Sequence, residues 1–190
     1  MSLREFFFRY RSYTPIPLAV AILYFADRRG MLLAPGIVLV AAGELIRLSG
    51  VRHAGGATRT RKVGARTLCT SGPFAHVRNP LYLGNLFIYC GVVFLAGGNR
   101  LWIMLAVTLG FFGIQYGLIV SLEEETLGRL FGKQYREYAR AVPRLVPRLT
   151  PWKGGSGSPP ASWTKTLKTE KRTLQTLVGF LGLLVIRLFL

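Results

Sequence analysis

Four long apolar runs constrain the fold of this chain more than any other feature of its sequence. They lie at residues 31–48, 81–98, 101–122 and 174–190. Each approaches the roughly 20 apolar residues that a helix needs to cross the hydrocarbon core of a bilayer. A fifth run, at 13–26, covers only about 21 Å as a helix, so it crosses only with help from its flanks or in a thinned bilayer. The pattern predicts an all-α, polytopic membrane bundle of about five transmembrane helices.

The charges lie mostly between the apolar runs, unlike the pattern of a soluble basic protein. The formal net charge is +17, and most Lys and Arg residues lie in two connectors, at 49–80 and 123–173. The opposite connectors contain only Arg28, Arg29 and Arg100. By the positive-inside rule, we expect a multi-pass integral membrane protein whose N-terminus and two basic connectors face the cytoplasm.

The same basic connectors indicate which partners to expect. Cationic segments beside a bilayer attract anionic headgroups, so membrane lipids are expected partners. The connectors contain no aromatic-interleaved reader motif, so nucleic acid is not an expected partner. The two cysteines, Cys69 and Cys90, and the two histidines, His53 and His76, lack the spacing of metal ligands. We therefore predict neither a disulfide nor a metal site.

The connector between the third and fourth long segments organises the chain. Only "GGNR", at 97–100, joins the run at 81–98 to the run at 101–122, which predicts an antiparallel helical hairpin. The sequence predicts N-terminal helices and a basic loop at 1–65 and a core at 66–150. A flexible basic linker at 151–173 and a C-terminal transmembrane helix at 174–190 are expected to follow. Within the core, 123–148 is expected to continue the second hairpin helix until Gly132 loosens or ends it.

The segment that enters the hairpin carries a cluster of polar residues. Within two helical turns the segment offers a cation, an amide, a phenol and a glycine whose backbone another group can approach closely. These features are found among Arg78, Asn79, Pro80, Tyr82 and Gly84. Pro80 and Arg78 each have a structural interpretation alone, since proline suits the first turn of a helix and an interfacial arginine binds lipid phosphate. Their concentration at one place favours a ligand site.

Acidic residues follow at the other end of the hairpin. Glu123 and Glu124 lie where the second hairpin helix leaves its apolar run, so they oppose the helix macrodipole and repel each other. They are either an interfacial pair neutralised by arginines or the ligands of a cationic or polyhydroxylated molecule. Glu44 and Arg47, three residues apart on a predicted helix, are expected to form a structural ion pair.

Two blocks of the sequence, "TSGPFAHVRNPLYLG" and "EEETLGRLFGKQYREYARAVPR", resemble the isoprenylcysteine carboxyl methyltransferase family and its relatives, the phospholipid methyltransferases. The resemblance covers about 66–148, with the blocks in the family's order and spacing. It implies a membrane methyltransferase that uses S-adenosylmethionine, with the cofactor enclosed between the ends of the hairpin and a C-terminal lid.

The resemblance also implies site residues. The positions matched to cofactor contacts are Arg66, Thr67, Leu68, Cys69, Phe74, Asn79, Pro80, Leu81, Tyr82 and Glu123. Glu124, Tyr135, Tyr138 and Arg144 match the remaining signature, and Arg78, Glu124 and Arg144 are the candidate catalytic residues. Phe74 stands where Tyr is usual and Asn79 where His is frequent.

One departure from the family pattern bears on the methyl acceptor. Relatives that methylate a prenylcysteine carboxylate tend to carry an arginine where this chain has Ile119. Either Arg78 or Arg144 replaces that arginine, or the acceptor is a different group. An amine acceptor requires a base, for which Glu124 and His76 are the candidates.

Three functions remain open on the sequence alone. The first is methyl transfer from S-adenosylmethionine to a lipophilic acceptor that carries a carboxylate or an amine. The second is an NADPH-dependent reductase, because membrane sterol reductases share a block similar to the one around Arg78. The third is a non-enzymatic scaffold whose basic loops bind anionic lipid.

Overall fold

A computed structural model of the chain describes residues 1–55, 67–155 and 159–189. These residues form α-helices, one 3-10 turn at Gly72–Ala75 and no β-strand, apart from an isolated bridge between Asp27 and Gly97. The helices are α1 (Leu3–Arg9), α2 (Ile16–Tyr24), α3 (Leu33–His53), α4 (Pro80–Ala96), α5 (Leu101–Ala141) and α6 (Trp163–Phe189). The predicted all-α class is confirmed.

Within the described ranges, three helices are long and apolar enough to cross a membrane, namely α3, α5 and α6. The apolar helix α4 has 17 residues. These helices form an integral membrane bundle, as predicted. The first apolar run differs from the expectation, because it forms only the nine-residue helix α2. Proline cannot donate the backbone hydrogen bonds of a helix interior but fits its first turn, so Pro15 as the N-cap and Pro17 in the first turn set the start of α2.

Helices α3 and α4 are antiparallel and pack through glycines. A methyl group placed on Gly43 of α3 would lie 2.5 Å from the carbonyl oxygen of Gly84 on α4. One placed on Gly91 of α4 would lie 2.7 Å from the carbonyl oxygen of Gly36. Small residues at such a contact bring two backbones close enough for extensive van der Waals packing. The two helices therefore form the closely packed frame on which the other elements rest.

Helices α4 and α5 form the hairpin that the short "GGNR" connector predicts. Aromatic pairs mark its antiparallel register, with ring centroids 4.7 Å apart for Tyr82 and Tyr116 and 4.5 Å apart for Tyr89 and Phe112. At the turn, Gly97 has a φ of +62°, and a side chain there would lie 2.6 Å from the carbonyl oxygen of Asp27. We refer below to this end as the Asp27 end and to the opposite end of the bundle as the Arg78 end.

Helix α5 continues past its apolar run, as expected, and bends at Gly132. The backbone of Gly132 is non-helical, with φ +49° and ψ −116°, a conformation that glycine adopts most readily. The segment beyond it packs through Tyr135, Tyr138 and Val142, which form a second small core at the Arg78 end. The bend therefore turns the distal part of α5 back over the start of α4.

The last helix begins well before the apolar run that predicted it. Helix α6 starts at Trp163, so the described part of the predicted linker includes helix. The Ser162 hydroxyl accepts a hydrogen bond from the backbone N–H of Lys165, which is the usual geometry of an N-cap. Two hydrogen bonds join Ala161 to Arg52 at the end of α3. They fix the start of α6 at the Arg78 end.

Candidate active site

Arg78 connects the start of α4 to the end of α5. Its guanidinium donates hydrogen bonds to the carbonyl oxygens of Ala139 at 2.5 Å and Val142 at 2.7 Å. Its backbone N–H donates to the carbonyl oxygen of Pro143 at 2.9 Å. The last carbonyls of a helix lack partners within the helix, so a cation that binds them caps the helix and complements its dipole. Arg78 thus caps α5, a role that its position in the sequence did not reveal.

Glu124 lies between two arginines from distant parts of the chain. Its carboxylate accepts a hydrogen bond from Arg78 Nε at 3.0 Å and two from Arg144, at 3.1 Å from Nε and 2.5 Å from Nη2. Burial alone would raise the pKa of Glu124, but the hydrogen bonds and charges of the two arginines outweigh burial and lower it. The three candidate catalytic residues therefore form one ion cluster in which Glu124 is ionised.

Glu123 occupies a different environment, although it is the next residue. It lies just beyond the apolar run and accepts a hydrogen bond from the Tyr82 hydroxyl at 3.0 Å. Burial raises the pKa of Glu123 to about 7, although the Tyr82 hydrogen bond and the charge of Arg11 oppose the shift. The two glutamates thus differ in charge near neutral pH, which sequence reasoning did not predict.

The predicted cofactor contacts at the start of α4, residues 79–82, have two different environments. The Asn79 side chain donates a hydrogen bond to the carbonyl oxygen of Arg144 at 3.1 Å, so it contacts the same segment as Arg78. Pro80 is the buried first residue of α4. Leu81 packs against Gly50 of α3, where an added methyl group would lie 2.9 Å from its side chain. Of these residues, Asn79 and Tyr82 lie with the acidic and basic residues of the site, and Leu81 contacts α3.

The other residues that were predicted to contact the cofactor lie at 66–69 and at Phe74, and the described ones include neighbours of the second small core. Leu68 packs against the core of Tyr135, Tyr138 and Val142, and Thr67 is exposed. The Tyr138 hydroxyl donates to the carbonyl oxygen of Phe74 at 2.7 Å. Burial raises the pKa of the Cys69 thiol, so this thiol is not an activated nucleophile. Arg66 lies outside the described residues.

His76 contacts the segment that follows the distal part of α5. Its Nδ1 lies 2.9 Å from the carbonyl oxygen of Arg148, and its own carbonyl accepts the backbone N–H of Arg148. It also lines a groove of about 470 Å³ on the α3 side of the Arg78 end, together with Leu45 and Ser49. Within the part of the chain that the structure describes, no hydrogen bond or ion pair joins His76 to the ion cluster.

Sequence reasoning missed three residues that contact this region. Arg11 lies near Glu123, and Asn85 and Glu170 lie deeper in the bundle. A polar residue within an apolar run was the available signal for Asn85. For Glu170, the signal was an acid in an otherwise basic segment.

Comparison with known proteins identifies the family. Residues 31–134, from the start of α3 to just past the bend of α5, match the model of the phospholipid methyltransferase family. The chain belongs to this family. The expected relationship to membrane methyltransferases is therefore confirmed for the phospholipid methyltransferase branch.

One curated relative in this comparison is the cobalt-zinc-cadmium resistance protein CzcN of Cupriavidus metallidurans. It is 33% identical over 120 residues, which are 63% of this chain and 51% of that protein. The chain thus spans about half the length of this relative. No solved structure matches the chain. Among the described residues, no group of three His, Cys, Asp or Glu side chains is placed to bind a metal ion.

Proposed function

We propose that this member of the phospholipid methyltransferase family transfers a methyl group from S-adenosylmethionine to a lipophilic acceptor. The observation that carries the proposal is the contact of Tyr82 with Glu123, within the region matched to the family. A half-buried carboxylate with a pKa near 7 is stabilised in its ionised form when a cation binds beside it. The sulfonium and ammonium groups of S-adenosylmethionine are such cations.

The described residues fit this cofactor on a second ground. The Tyr135 hydroxyl is buried and has no hydrogen-bond partner among the residues that the structure describes. A buried polar group without a partner is costly, and a polar ligand removes that cost. In the proposed site, Glu123, Tyr82 and Tyr135 bind polar groups of the cofactor, and the strip at Leu68 and Phe74 contacts its apolar surfaces.

The ion cluster has a positioning function in this proposal. Arg78 and Arg144 are both hydrogen-bonded to Glu124, and Asn79 is bonded to the backbone of Arg144. These contacts join the start of α4 to the segment after α5. We infer that this segment is the lid that encloses the site, and that Glu124 keeps it closed.

The chemistry needs orientation more than it needs a reactive side chain. The cofactor supplies a methyl group that is already activated by its sulfonium. The protein must align the acceptor with that methyl group and exclude water, which are large contributions in reactions of this kind. The closed contacts around Arg78 are suited to excluding water. No nucleophilic residue is required.

The surroundings of the arginines favour an amine over a carboxylate as the acceptor. Ile119 is fully buried and apolar, and Arg78 and Arg144 are already paired with Glu124. A carboxylate acceptor would therefore have to displace Glu124 to reach a cation. An amine must lose a proton, and a group with a pKa near 7 is a suitable base. Glu124 does not meet that requirement, because its two arginines lower its pKa, and Glu123, with a pKa of about 7 before the cofactor binds, is the remaining carboxylate of the site.

The sidedness of the site is inferred from charge. The Arg78 end carries the basic connectors, so we propose that it faces the cytoplasm. The acceptor would enter from the bilayer at that face, and membrane lipids would be its neighbours.

The deciding experiment combines binding with product analysis. Purified protein is titrated with S-adenosylmethionine and with NADPH by calorimetry. It is then incubated with methyl-labelled S-adenosylmethionine and a total lipid extract, and the labelled product is identified by mass. We expect binding of S-adenosylmethionine and label in a lipid. Binding of NADPH alone would instead support the reductase.

Matched variants separate the enzyme from a lipid-binding scaffold. Glu123→Gln should weaken the binding of S-adenosylmethionine at least tenfold, on the scale of about 1.4 kcal/mol for a lost interaction with a charge. Glu137→Gln is the control, because Glu137 is exposed on the same helix. Equal affinities in the two variants would contradict the proposed site.

A further inference from the structure

A buried ion pair joins the first part of α6 to α3 near the end of the apolar run of α3. Arg47 Nη2 lies 2.6 Å from Glu170 Oε2, and the two residues are only 8% and 2% exposed. Helix α6 lies beyond residues 31–134, the region that matches the family. Glu170 therefore lies outside the region that is matched to the family. The predicted partner Glu44 lies farther from Arg47, at 3.7 Å.

The ion pair is not needed to attach α6 to the bundle. Leu184 of α6 is buried in the main apolar core, which it shares with residues of α2, α4 and α5, and Leu177 and Phe180 pack against that core. The hydrogen bonds between Arg52 and Ala161 fix its start. Burying two charges is expensive, and an apolar pair of similar size often stabilises a protein as well or better. Ionisable groups within membrane helices are therefore first considered for function.

A continuous series of contacts leads from the ion pair to the proposed cofactor site. Arg47 Nη1 donates a hydrogen bond to Asn85 Oδ1. The Asn85 side chain lies close to the Tyr116 hydroxyl, and the Tyr116 ring lies 4.7 Å from the Tyr82 ring. The Tyr82 hydroxyl donates to Glu123. Each of these groups is buried or half-buried, so water competes little for their hydrogen bonds.

Each contact restricts the next one. An amide whose oxygen is fixed by Arg47 presents its nitrogen in a defined direction. The buried Tyr116 hydroxyl needs a partner, so it follows that direction. The packed ring of Tyr116 then limits the tilt of Tyr82, whose hydroxyl must reach Glu123. Loss of the charge on Glu170 frees Arg47, and therefore Asn85, to reorient.

We propose that Glu170 and Arg47 are positioning residues for the cofactor site, and that α6 acts on this site through Asn85, Tyr116 and Tyr82. The inference rests on the proposed function, because its readout is the binding of S-adenosylmethionine near Glu123. It assigns a role to the C-terminal helix, which lies outside the region matched to the family.

The test is a double-mutant cycle between Glu170 and Tyr82. The dissociation constant of S-adenosylmethionine is measured by calorimetry for the wild type, Glu170→Gln, Tyr82→Phe and the combined variant. We expect each single substitution to weaken binding about tenfold, and the combined variant to bind no more weakly than the weaker single variant. Independent effects, which would give about a hundredfold loss in the combined variant, would overturn the proposal.

Further variants distinguish positioning from stability. The double variant Arg47→Met with Glu170→Leu removes both charges. Its midpoint of thermal unfolding should be higher than that of Glu170→Gln and closer to that of the wild type. Binding should remain weak in this variant, because Asn85 has lost its partner. Recovery of binding along with stability would show that the pair is only structural. The conservative variant Glu170→Asp should retain most of the affinity.

A control at the same arginine completes the design. Both carboxylate oxygens of Glu44 are buried and make no hydrogen bond to a described residue. Glu44→Gln removes a charge near Arg47 without breaking the series of contacts, so it should leave affinity unchanged. A loss equal to that of Glu170→Gln would contradict the proposal. If the wild type binds no S-adenosylmethionine, the proposed function fails, and this inference fails with it.

Discussion

Replacing Arg78 by methionine should release the distal part of α5 without unfolding the bundle. Arg78 donates three side-chain hydrogen bonds, to Glu124, Ala139 and Val142. Methionine preserves much of the side-chain volume but can make none of these bonds. The variant thus leaves two helix-end carbonyls without their partner and Glu124 with only Arg144.

The expected cost follows from these contacts. Hydrogen bonds to a charged group each contribute roughly 1.5–3 kcal/mol, and breaking a buried ion pair costs about 3–5 kcal/mol. Arg144 continues to pair with Glu124, and water can reach part of the segment. We therefore expect Arg78→Met to lower the free energy of local opening by about 3 kcal/mol, the low end of the range for a buried ion pair. That value corresponds to roughly a hundredfold increase in the equilibrium constant for local opening.

Hydrogen–deuterium exchange measures this local opening directly. Amides at 133–142 should exchange about a hundredfold faster in Arg78→Met than in the wild type, if exchange reports the opening equilibrium. Amides in the frame of α3 and α4 should be unchanged. Arg140→Met is the control, since Arg140 is exposed on the same segment. Unchanged protection at 133–142, or an equal loss throughout the bundle, would refute the capping role of Arg78.

Four further predictions concern the site and the frame. Affinity for S-adenosylmethionine should rise as pH increases through about 7, because the ionised form of Glu123 binds the cation, and Glu123→Gln should abolish this dependence in calorimetry. The raised pKa of Glu123 should also make the ligand-free protein less stable as pH rises from 4.5 through about 7. Thermal unfolding should show this pH dependence in the wild type and not in Glu123→Gln. Gly84→Ala should destabilise the protein by about 1–3 kcal/mol, because the added methyl group would lie 2.7 Å from the carbonyl of Gly43. Gly113→Ala, which has open space around its added methyl group, should be neutral or stabilising in the same thermal assay. Asn79→Ala should weaken S-adenosylmethionine binding several-fold, since Asn79 is bonded to the segment that we propose as the lid, and unchanged affinity would remove Asn79 from the site.

The architecture was predictable where a single physical requirement dominated. The four-residue "GGNR" connector leaves room for nothing but a tight reversal, and the hairpin of α4 and α5 follows from it. The bend at Gly132 was also foreseeable, because the helical pattern reaches a glycine within a polar segment. The start of α2 was harder to predict, since hydropathy alone does not show that Pro15 and Pro17 can occupy only the first turn of a helix.

The candidate site was predictable in composition but not in connectivity. The polar residues around Arg78 and the acids at Glu123 stood out because charge at a membrane edge is costly. Their partners are set by tertiary structure, since Arg78 and Glu124 are 46 residues apart. The positions of Glu123 and Glu124 along the chain gave no reason to expect that they would differ in charge. Only the directions of their side chains separate a half-buried group bonded to Tyr82 from one bonded to two arginines.

The ion pair between α3 and α6 has a consequence for biosynthesis. Arg47 is translated 123 residues before Glu170, so α3 enters the membrane while its final partner has yet to be made. During that interval the nearest acid is Glu44, on the same helix and 3.7 Å from the guanidinium in the finished structure. Glu44 can therefore serve as the temporary counter-ion of a nascent helix. Once α6 arrives, Glu170 makes the shorter contact with the guanidinium, and Glu44, at 3.7 Å from it, makes no hydrogen bond to a described residue.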